Sequence, residues 1–247
     1  MYPNLPFGPL TLPTGPILTF FAMMIGLEIS AHYGKRLGLS PDAVWNAGLL
    51  AMIAGLIVAR LWNVIQFSDI YRAEPLLIFS LRPGGFVLLP GVIAALGVGY
   101  LYLLRKALDP LRVVVAFAIG ALAAGVLINI SAFLTGSLIG TRSAVPWALP
   151  YFTEVRHPVA LYQALGLILL LSALWLYADV TRLGRTLLLA ALGYSLVRLV
   201  LDAFVDEAVL WGNFRRGQVL AFAAALVLTL LLASSEPKLE KQQSPPA

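Results

Sequence analysis

The stretch that decides the fold is VLAFAAALVLTLLLA at residues 219–233, which contains no charged side chain. A helix that crosses the hydrocarbon core of a bilayer needs about 20 predominantly apolar residues, within a range of about 17 to 25. With the two residues that precede it, this stretch reaches the lower end of that range. It therefore predicts a membrane-spanning helix near the end of the chain.

Six further apolar stretches precede it in the 247-residue chain. They lie at residues 15–33, 43–66, 85–104, 111–134, 157–177 and 184–204. The chain is 60% hydrophobic and only 12% charged, whereas soluble domains are about 25% charged. This composition excludes a soluble globular domain and a nucleic-acid-binding protein. It predicts an all-α integral membrane protein with seven transmembrane helices in one membrane domain, residues 1–233, and a disordered cytoplasmic tail, residues 234–247.

Basic residues between the predicted helices indicate the orientation, because cytoplasmic loops are enriched in Lys and Arg. Nine basic residues lie in the first, third and fifth gaps and in the C-terminal tail. Six lie in the N-terminal segment and the other gaps. We therefore expect the N-terminus outside the cell and the C-terminus in the cytoplasm.

Charged residues inside the predicted helices are the first candidates for function, because each costs at least about 2.5–3.5 kcal/mol at mid-depth. Arg198 and Asp202 are four residues apart and share one helix face with Tyr194. One interpretation is a guanidinium that binds an anionic lipid headgroup, since Arg binds phosphate in bidentate fashion. The other is a structural ion pair within the helix, and the spacing alone does not separate the two.

Two further polar residues lie in the second and fourth apolar stretches. Arg60 lies near the predicted outer end of the second, where a long basic side chain can also extend to the membrane interface. Asn129 belongs to a polar stripe in the fourth, which hydrogen bonding between helices would also explain. Small residues in the same stretch, Ala116, Gly120 and Ala124, indicate close packing of helices.

The gap at residues 135–156 ends at the sequence Arg156-His157-Pro158. Pro158 suits the first turn of a helix, so Arg156 and His157 are expected just outside a helix N-terminus, where an anion can bind. An ordinary interfacial loop with aromatic anchors is the alternative. The chain has two His and no Cys, which argues against a metal site and excludes disulfides and a thiol nucleophile of its own.

Several segments match motifs of one family in the same order along the chain. Residues 156–164, RHPVALYQA, resemble R-H-P-S-Q-L-Y-E-A, and residues 194–202, YSLVRLVLD, resemble Y-G-x-x-R-F-x-x-E. Residues 136–147 and 216–220 resemble its G-R…P-W loop and its G-Q-x-L segment. In these motifs the chain resembles prolipoprotein diacylglyceryl transferase, a multi-pass enzyme of the bacterial plasma membrane.

This resemblance implies a transferase of lipoprotein biosynthesis. The diacylglyceryl group of phosphatidylglycerol would move to the lipobox cysteine of a prolipoprotein, without a cofactor, and glycerol phosphate would leave. Besides these two substrates, only membrane lipids are expected as partners. The expected catalytic residues are Arg198, Asp202 and His157. The residues expected to bind the lipid phosphate are Arg198, Arg60, Arg156, Asn129 and Tyr162.

The departures of this chain from the family's motifs include the following four positions. The family's histidine and tyrosine are replaced by Leu89 and Phe21, and its arginine and asparagine by Asn129 and Ala132. Leu and Phe cannot accept a proton. Two alternatives therefore remain beside the transferase: a related enzyme that uses another acceptor, and a non-catalytic phospholipid-binding or accessory membrane protein.

Overall fold

The computed structural model describes residues 4–7, 10–79, 85–151, 153–206 and 209–235. The chain divides into two compact units, Met1–Ser137 and Leu138–Ala247. The predicted disordered tail falls almost entirely outside the described residues. The assignment of residues 1–233 to one membrane domain stays a prediction.

The first unit is mainly helical. Its helices are α1 (Thr14–Arg36), α2 (Pro41–Gln66), the short α3 (Ser68–Ala73), α4 (Leu88–Arg105) and α5 (Pro110–Thr135). A 3₁₀ turn, Pro75–Phe79, follows α3, and an antiparallel hairpin of β1 (Asn4–Phe7) and β2 (Leu10–Pro13) precedes α1.

Small residues bring the helices of the first unit together in two pairs, α1 with α5 and α2 with α4. A Cβ atom added at Gly120 would lie 2.3 Å from the Gly26 carbonyl oxygen. One added at Gly91 would lie 2.9 Å from the carbonyl oxygen of Gly55. Such close backbone approach is typical of membrane helix pairs, and it confirms the packing predicted for the small residues around Gly120.

The second unit contains three long helices, α6 (Val159–Tyr177), α7 (Leu183–Leu201) and α8 (Arg216–Ser235). α7 packs against both α6 and α8. A 3₁₀ turn, Asp202–Phe204, continues α7 directly. Two short antiparallel hairpins precede α6 and α8: β3 (Leu149–Tyr151) with β4 (Glu154–Arg156), and β5 (Leu210–Trp211) with β6 (Phe214–Arg215).

Backbone hydrogen bonds connect the loop before β3 both to the 3₁₀ turn after α7 and to the residues before α6. Thr141 donates its N–H to the Phe204 carbonyl at 2.8 Å, and His157 donates to the Thr141 carbonyl at 3.0 Å. Gly140 packs so closely on His157 that a Cβ atom there would lie 2.1 Å from the His157 carbonyl oxygen. The 3₁₀ turn after α7 and the residues before α6 are therefore held together through residues 140–141.

Seven helices of the described residues are long and apolar enough to span a membrane, as the sequence predicts. Their ends lie within three residues of the predicted stretches. The third begins at Leu88 rather than at residue 85, which places Pro90 in its first turn, where a proline is tolerated. The three hairpins were not predicted, because each strand has only two to four residues.

Candidate functional site

Three side chains of the second unit form a closed hydrogen-bonded triangle at the end of α7. Arg198 Nη2 lies 2.9 Å from Asp202 Oδ2, a pairing that their spacing of four residues permits. Gln163, on α6, donates from Nε2 to Asp202 Oδ1 at 3.1 Å and accepts at Oε1 from Arg198 Nη1 at 3.3 Å. The Asp202 and Gln163 side chains are buried, while the Arg198 side chain is 38% exposed.

The backbone around Asp202 is fixed from α8 and the hairpin before it. Arg215 donates from Nη1 to the carbonyl oxygens of Asp202, at 3.2 Å, and of Val205. A Cβ atom at Gly217 would lie 2.7 Å from Asp202 Oδ2, so the glycine allows α8 to begin beside the carboxylate. Gln218 donates to the Leu199 carbonyl at 3.1 Å. The carboxylate that orients Arg198 is therefore enclosed on several sides.

His157 and Tyr162 form a second polar group in the same unit. His157 Nδ1 lies 3.2 Å from the Tyr162 hydroxyl, which accepts a hydrogen bond from Trp147 Nε1 at 2.7 Å. The Phe204 ring packs edge-on against the His157 ring, with 5.1 Å between centroids. Thus one hydroxyl and one aromatic ring set the orientation of the imidazole.

Neighbouring residues of the same two elements connect the triangle with the imidazole. Tyr162 and Gln163 are consecutive on α6, and Asp202 and Phe204 lie in one 3₁₀ turn. Gln163 and Asp202 belong to the triangle, whereas Tyr162 and Phe204 contact His157. The structure therefore brings together four predicted residues, Arg198 with Asp202 and His157 with Tyr162.

Arg156 lies in a network of charges on the hairpin before α6. Its Nη1 donates to the Gly140 carbonyl at 3.0 Å and to Asp206, and its Nη2 pairs with Glu154. Glu154 also pairs with Arg142. The Arg156 side chain is only 16% exposed, and two carboxylates compensate its charge. As placed, it orders the loop, and its predicted contact with a lipid phosphate stays a prediction.

This network shifts the ionisation of its members. Desolvation raises the pKa of the Glu154 carboxyl, but hydrogen bonds and charge attraction from Arg156 and Arg142 outweigh it and lower the pKa below 4.5. The hydrogen bond to Asp206 raises the pKa of the Arg156 guanidinium, against desolvation. Both pKa shifts favour the charged forms, the carboxylate of Glu154 and the guanidinium of Arg156.

Arg60, in the first unit, binds backbone oxygens. Its Nε donates to the Ile78 carbonyl at 3.0 Å, Nη1 to the Gly85 carbonyl at 2.7 Å, and Nη2 to the Leu77 carbonyl. The rings of Tyr71 and Phe86 flank the guanidinium at about 5.5 Å. In this arrangement Arg60 connects α2 to the segments on both sides of residues 80–84.

Three other positions of the first unit that the sequence singled out, Asn129, Leu89 and Phe21, carry no acidic or basic side chain. Asn129 donates from Nδ2 to the Gly125 carbonyl of its own helix at 2.8 Å. Leu89 and Phe21, which the resemblance aligns with a histidine and a tyrosine of the family, are exposed apolar side chains. Among the described residues, no three His, Asp or Glu side chains converge as a metal site would require.

Sequence reasoning missed several members of the second unit's site. Gln163, Arg215 and Gly217 contact Asp202, while Glu154 and Asp206 contact Arg156. The sequence does mark Gln163 as a candidate, because it is a polar residue next to Tyr162 in an otherwise apolar helix. Asp206 and Arg215 had none, since their partners are 50 and 13 residues away in the chain.

Comparisons with known proteins find similar sequences over most of the chain. A family model described as prolipoprotein diacylglyceryl transferase matches residues 5–234. Phosphatidylglycerol–prolipoprotein diacylglyceryl transferase from Clostridioides difficile is 25% identical over 211 residues, covering 85% of each chain. The protein of the same name from Corynebacterium diphtheriae is 28% identical over 222 residues, covering 77% of this chain and 75% of its own.

Proposed function

Because the chain belongs to the prolipoprotein diacylglyceryl transferase family, we propose that it catalyses that transfer. The diacylglyceryl group of phosphatidylglycerol moves to the thiol of a lipobox cysteine in a prolipoprotein. The observation that carries the proposal is the triangle of Arg198, Asp202 and Gln163. In it a buried carboxylate holds a guanidinium that is itself partly exposed. We propose the bacterial plasma membrane as its location and residues 1–233 as one membrane domain.

Arg198 is proposed to bind the lipid phosphate. Its contacts with Gln163 and Asp202 use only part of the donor set of a guanidinium. The remaining donors can face the phosphate oxygens on which negative charge collects as the bond to the diacylglyceryl group breaks. Asp202 and Gln163 hold the guanidinium in place before the lipid arrives, which reduces the cost of ordering it during the reaction.

His157 is proposed to accept the proton of the substrate thiol, since imidazole is the most frequent general base in enzymes. The thiolate then attacks the terminal glycerol carbon of the diacylglyceryl group. A carbon–sulfur bond forms, the carbon–oxygen bond to the phosphate breaks, and the thiol proton ends on the departing glycerol phosphate. Tyr162 and Phe204 orient the imidazole for this step. Arg60, Arg156, Asn129 and Tyr162 stay predicted phosphate contacts, and no cofactor is required.

The test is an assay of the full-length protein in vesicles that contain phosphatidylglycerol. A synthetic lipobox peptide is added, and its mass is followed by mass spectrometry. We expect one diacylglyceryl group per peptide, attached through a thioether. A peptide with serine in place of the cysteine is the matched control and should stay unmodified. An unmodified cysteine peptide, with phosphatidylglycerol bound to the protein, would reject the transferase.

That outcome would favour the second candidate function, a phospholipid-binding protein without transfer activity. The observation behind it is the pair Leu89 and Phe21, apolar side chains at motif positions where the family has groups that can exchange protons. A related enzyme with another acceptor would instead release glycerol phosphate without modifying the lipobox peptide.

The orientation with the N-terminus outside can be tested separately, because the natural chain has no cysteine. Two variants each introduce one cysteine, Thr153→Cys between β3 and β4 and Lys106→Cys directly after α4. Both positions are exposed. In intact bacterial spheroplasts, we expect a membrane-impermeant maleimide to label Thr153→Cys but to label Lys106→Cys only after lysis. The reversed pattern would mean that the basic loops are outside.

A further inference from the structure

The first unit contains a groove that its helix pairs leave open. α1 packs closely on α5 and α2 on α4, and the pairs meet through α1 and α2. α4 and α5 do not pack extensively, and a groove of about 810 Å³ lies among the four helices. Its lining is apolar apart from Ser30 and Tyr100, and the Ser30 hydroxyl donates to the Gly26 carbonyl of its own helix. Such a surface suits a hydrocarbon chain.

The groove extends along α5 for more than the depth of one leaflet. Its lining on α5 extends from Pro110 to Ala124, which at 1.5 Å per residue is about 21 Å along the helix. Half of the hydrocarbon core of a bilayer is about 15 Å. The groove therefore begins at the helix ends and passes through the leaflet next to residues 106–109. Asn129, the predicted phosphate contact on the same helix, lies beyond the far end of the groove.

Positive charge surrounds the open end of the groove. Leu103 and Pro110 line it, and the segment between them carries the exposed residues Arg105 and Lys106. The same end of the unit carries three more exposed basic residues: Lys35, Arg36 and Arg112. Of the acidic side chains in this part of the unit, Asp109 pairs with Arg112 at 3.2 Å, Glu28 lies 3.5 Å from His32, and Asp42 is exposed. Basic residues therefore outnumber acidic ones by five to three. An anionic headgroup at this end would be attracted.

We propose that this groove binds an acyl chain of an anionic phospholipid, with the headgroup phosphate against Arg105 and Lys106. The lipid lies in the leaflet next to residues 106–109. Among the residues that line the groove there is no Asp, Glu, His, Lys or Arg that could activate the Ser30 or Tyr100 hydroxyl, so this is a binding site that anchors and stabilises the first unit. The proposal does not depend on the proposed transfer reaction, because none of its residues belongs to the triangle or to the His157 group.

The test uses the full-length protein in phosphatidylcholine vesicles that contain a trace of phosphatidylglycerol with a photoreactive acyl chain. After illumination, labelled peptides are identified by mass spectrometry. We expect labelling of the α4 and α5 residues that line the groove, and weaker labelling there by a phosphatidylcholine probe with the same chain. Equal labelling by both probes would mean bulk lipid only and would overturn the proposal.

Two glycines of α4 provide a matched pair of variants. Gly99 lines the groove, and a Cβ atom there makes ordinary contact with Ala51 at 3.6 Å, whereas one at Gly97 meets nothing within 4 Å. Gly99→Phe should fill the groove and abolish its labelling, and Gly97→Phe should leave the labelling unchanged. Unchanged labelling in Gly99→Phe would overturn the proposal. A dimer whose groove is unlabelled would do the same, by assigning the groove to a second copy.

The charge contribution is tested with Arg105→Gln and Lys106→Gln. Each should weaken labelling by the phosphatidylglycerol probe about fivefold, with no change for the phosphatidylcholine probe. Arg72→Gln removes an exposed arginine elsewhere in the unit and is the control. Arg198→Ala should not change the labelling, so failure of the proposed transferase and failure of this site give different results. Unchanged labelling in both Gln variants would contradict the assigned headgroup contacts.

Discussion

Arg198→Ala is expected to reduce transfer to a lipobox peptide by about 10²–10³-fold, the usual cost of removing one donor that stabilises charge in a transition state. Arg198 lies between Asp202 and Gln163 with 38% of its side chain exposed, so its donors reach both the protein and a bound phosphate. The measurement is the initial rate of thioether formation in vesicles that contain phosphatidylglycerol.

The conservative variant separates geometry from charge at this position. Arg198→Lys keeps the charge but cannot donate to Asp202, Gln163 and a phosphate in one plane. We therefore expect it to restore less than a tenth of the lost rate. Thermal unfolding of each variant must be measured in parallel, because removal of the arginine leaves the buried Asp202 carboxylate without its cation.

The matched control is Arg182→Ala, immediately before the other end of α7. That side chain is 57% exposed and pairs with Asp179 at 3.5 Å, an arrangement that contributes little to stability. Its transfer rate should equal that of the natural chain. If Arg198→Ala is folded and as active as Arg182→Ala, the guanidinium does not bind the reacting phosphate, and the proposed role of the triangle is wrong.

Gly140→Ala is expected to have the second-largest effect, on both stability and activity. The added Cβ atom would lie 2.1 Å from the His157 carbonyl oxygen and 2.8 Å from Val159 Cγ2. The first contact is with backbone, so no flexible side chain can move away to relieve it. Overpacking costs about 1–3 kcal/mol, and each kcal/mol lowers the Tm of a chain of this size by about 2–4 °C.

The same substitution displaces His157 from the proposed thiol, so the transfer rate should fall at least as much as the stability does. Gly184→Ala is the control, because a Cβ atom there meets nothing within 4 Å, and alanine favours a helix over glycine. It should keep both the rate and the Tm. A Gly140→Ala protein with unchanged Tm would mean that residues 140–141 do not fix the residues before α6.

The sequence predicted the helices well because the bilayer sets their length. An apolar stretch such as residues 219–233 must form its backbone hydrogen bonds internally once it is in lipid, and α8 covers it completely. The hairpin of β3 and β4 was not predictable in this way. It lies outside the apolar stretches, and pairings such as Gly140 with Val205 join segments distant in the chain.

In the candidate site, too, contacts within one helix were predictable and contacts between elements were not. The pairing of Arg198 with Asp202 was predictable, because residues four apart meet on a helix surface. Gln163 stands out in the sequence as a polar residue in an apolar helix, but its contacts with Arg198 and Asp202 depend on how α6 and α7 pack. Arg156 shows the converse: its position before α6 predicted an anion site, but Glu154 and Asp206, whose contacts the sequence does not specify, already pair with it.

The central claim is that this protein performs diacylglyceryl transfer, and one measurement tests it most directly. The protein is incubated with phosphatidylglycerol vesicles and a lipobox peptide, and both products are counted in the same sample. We predict one glycerol phosphate released for each thioether formed on the peptide. Glycerol phosphate released while the peptide stays unmodified, or neither product despite bound phosphatidylglycerol, would contradict the claim.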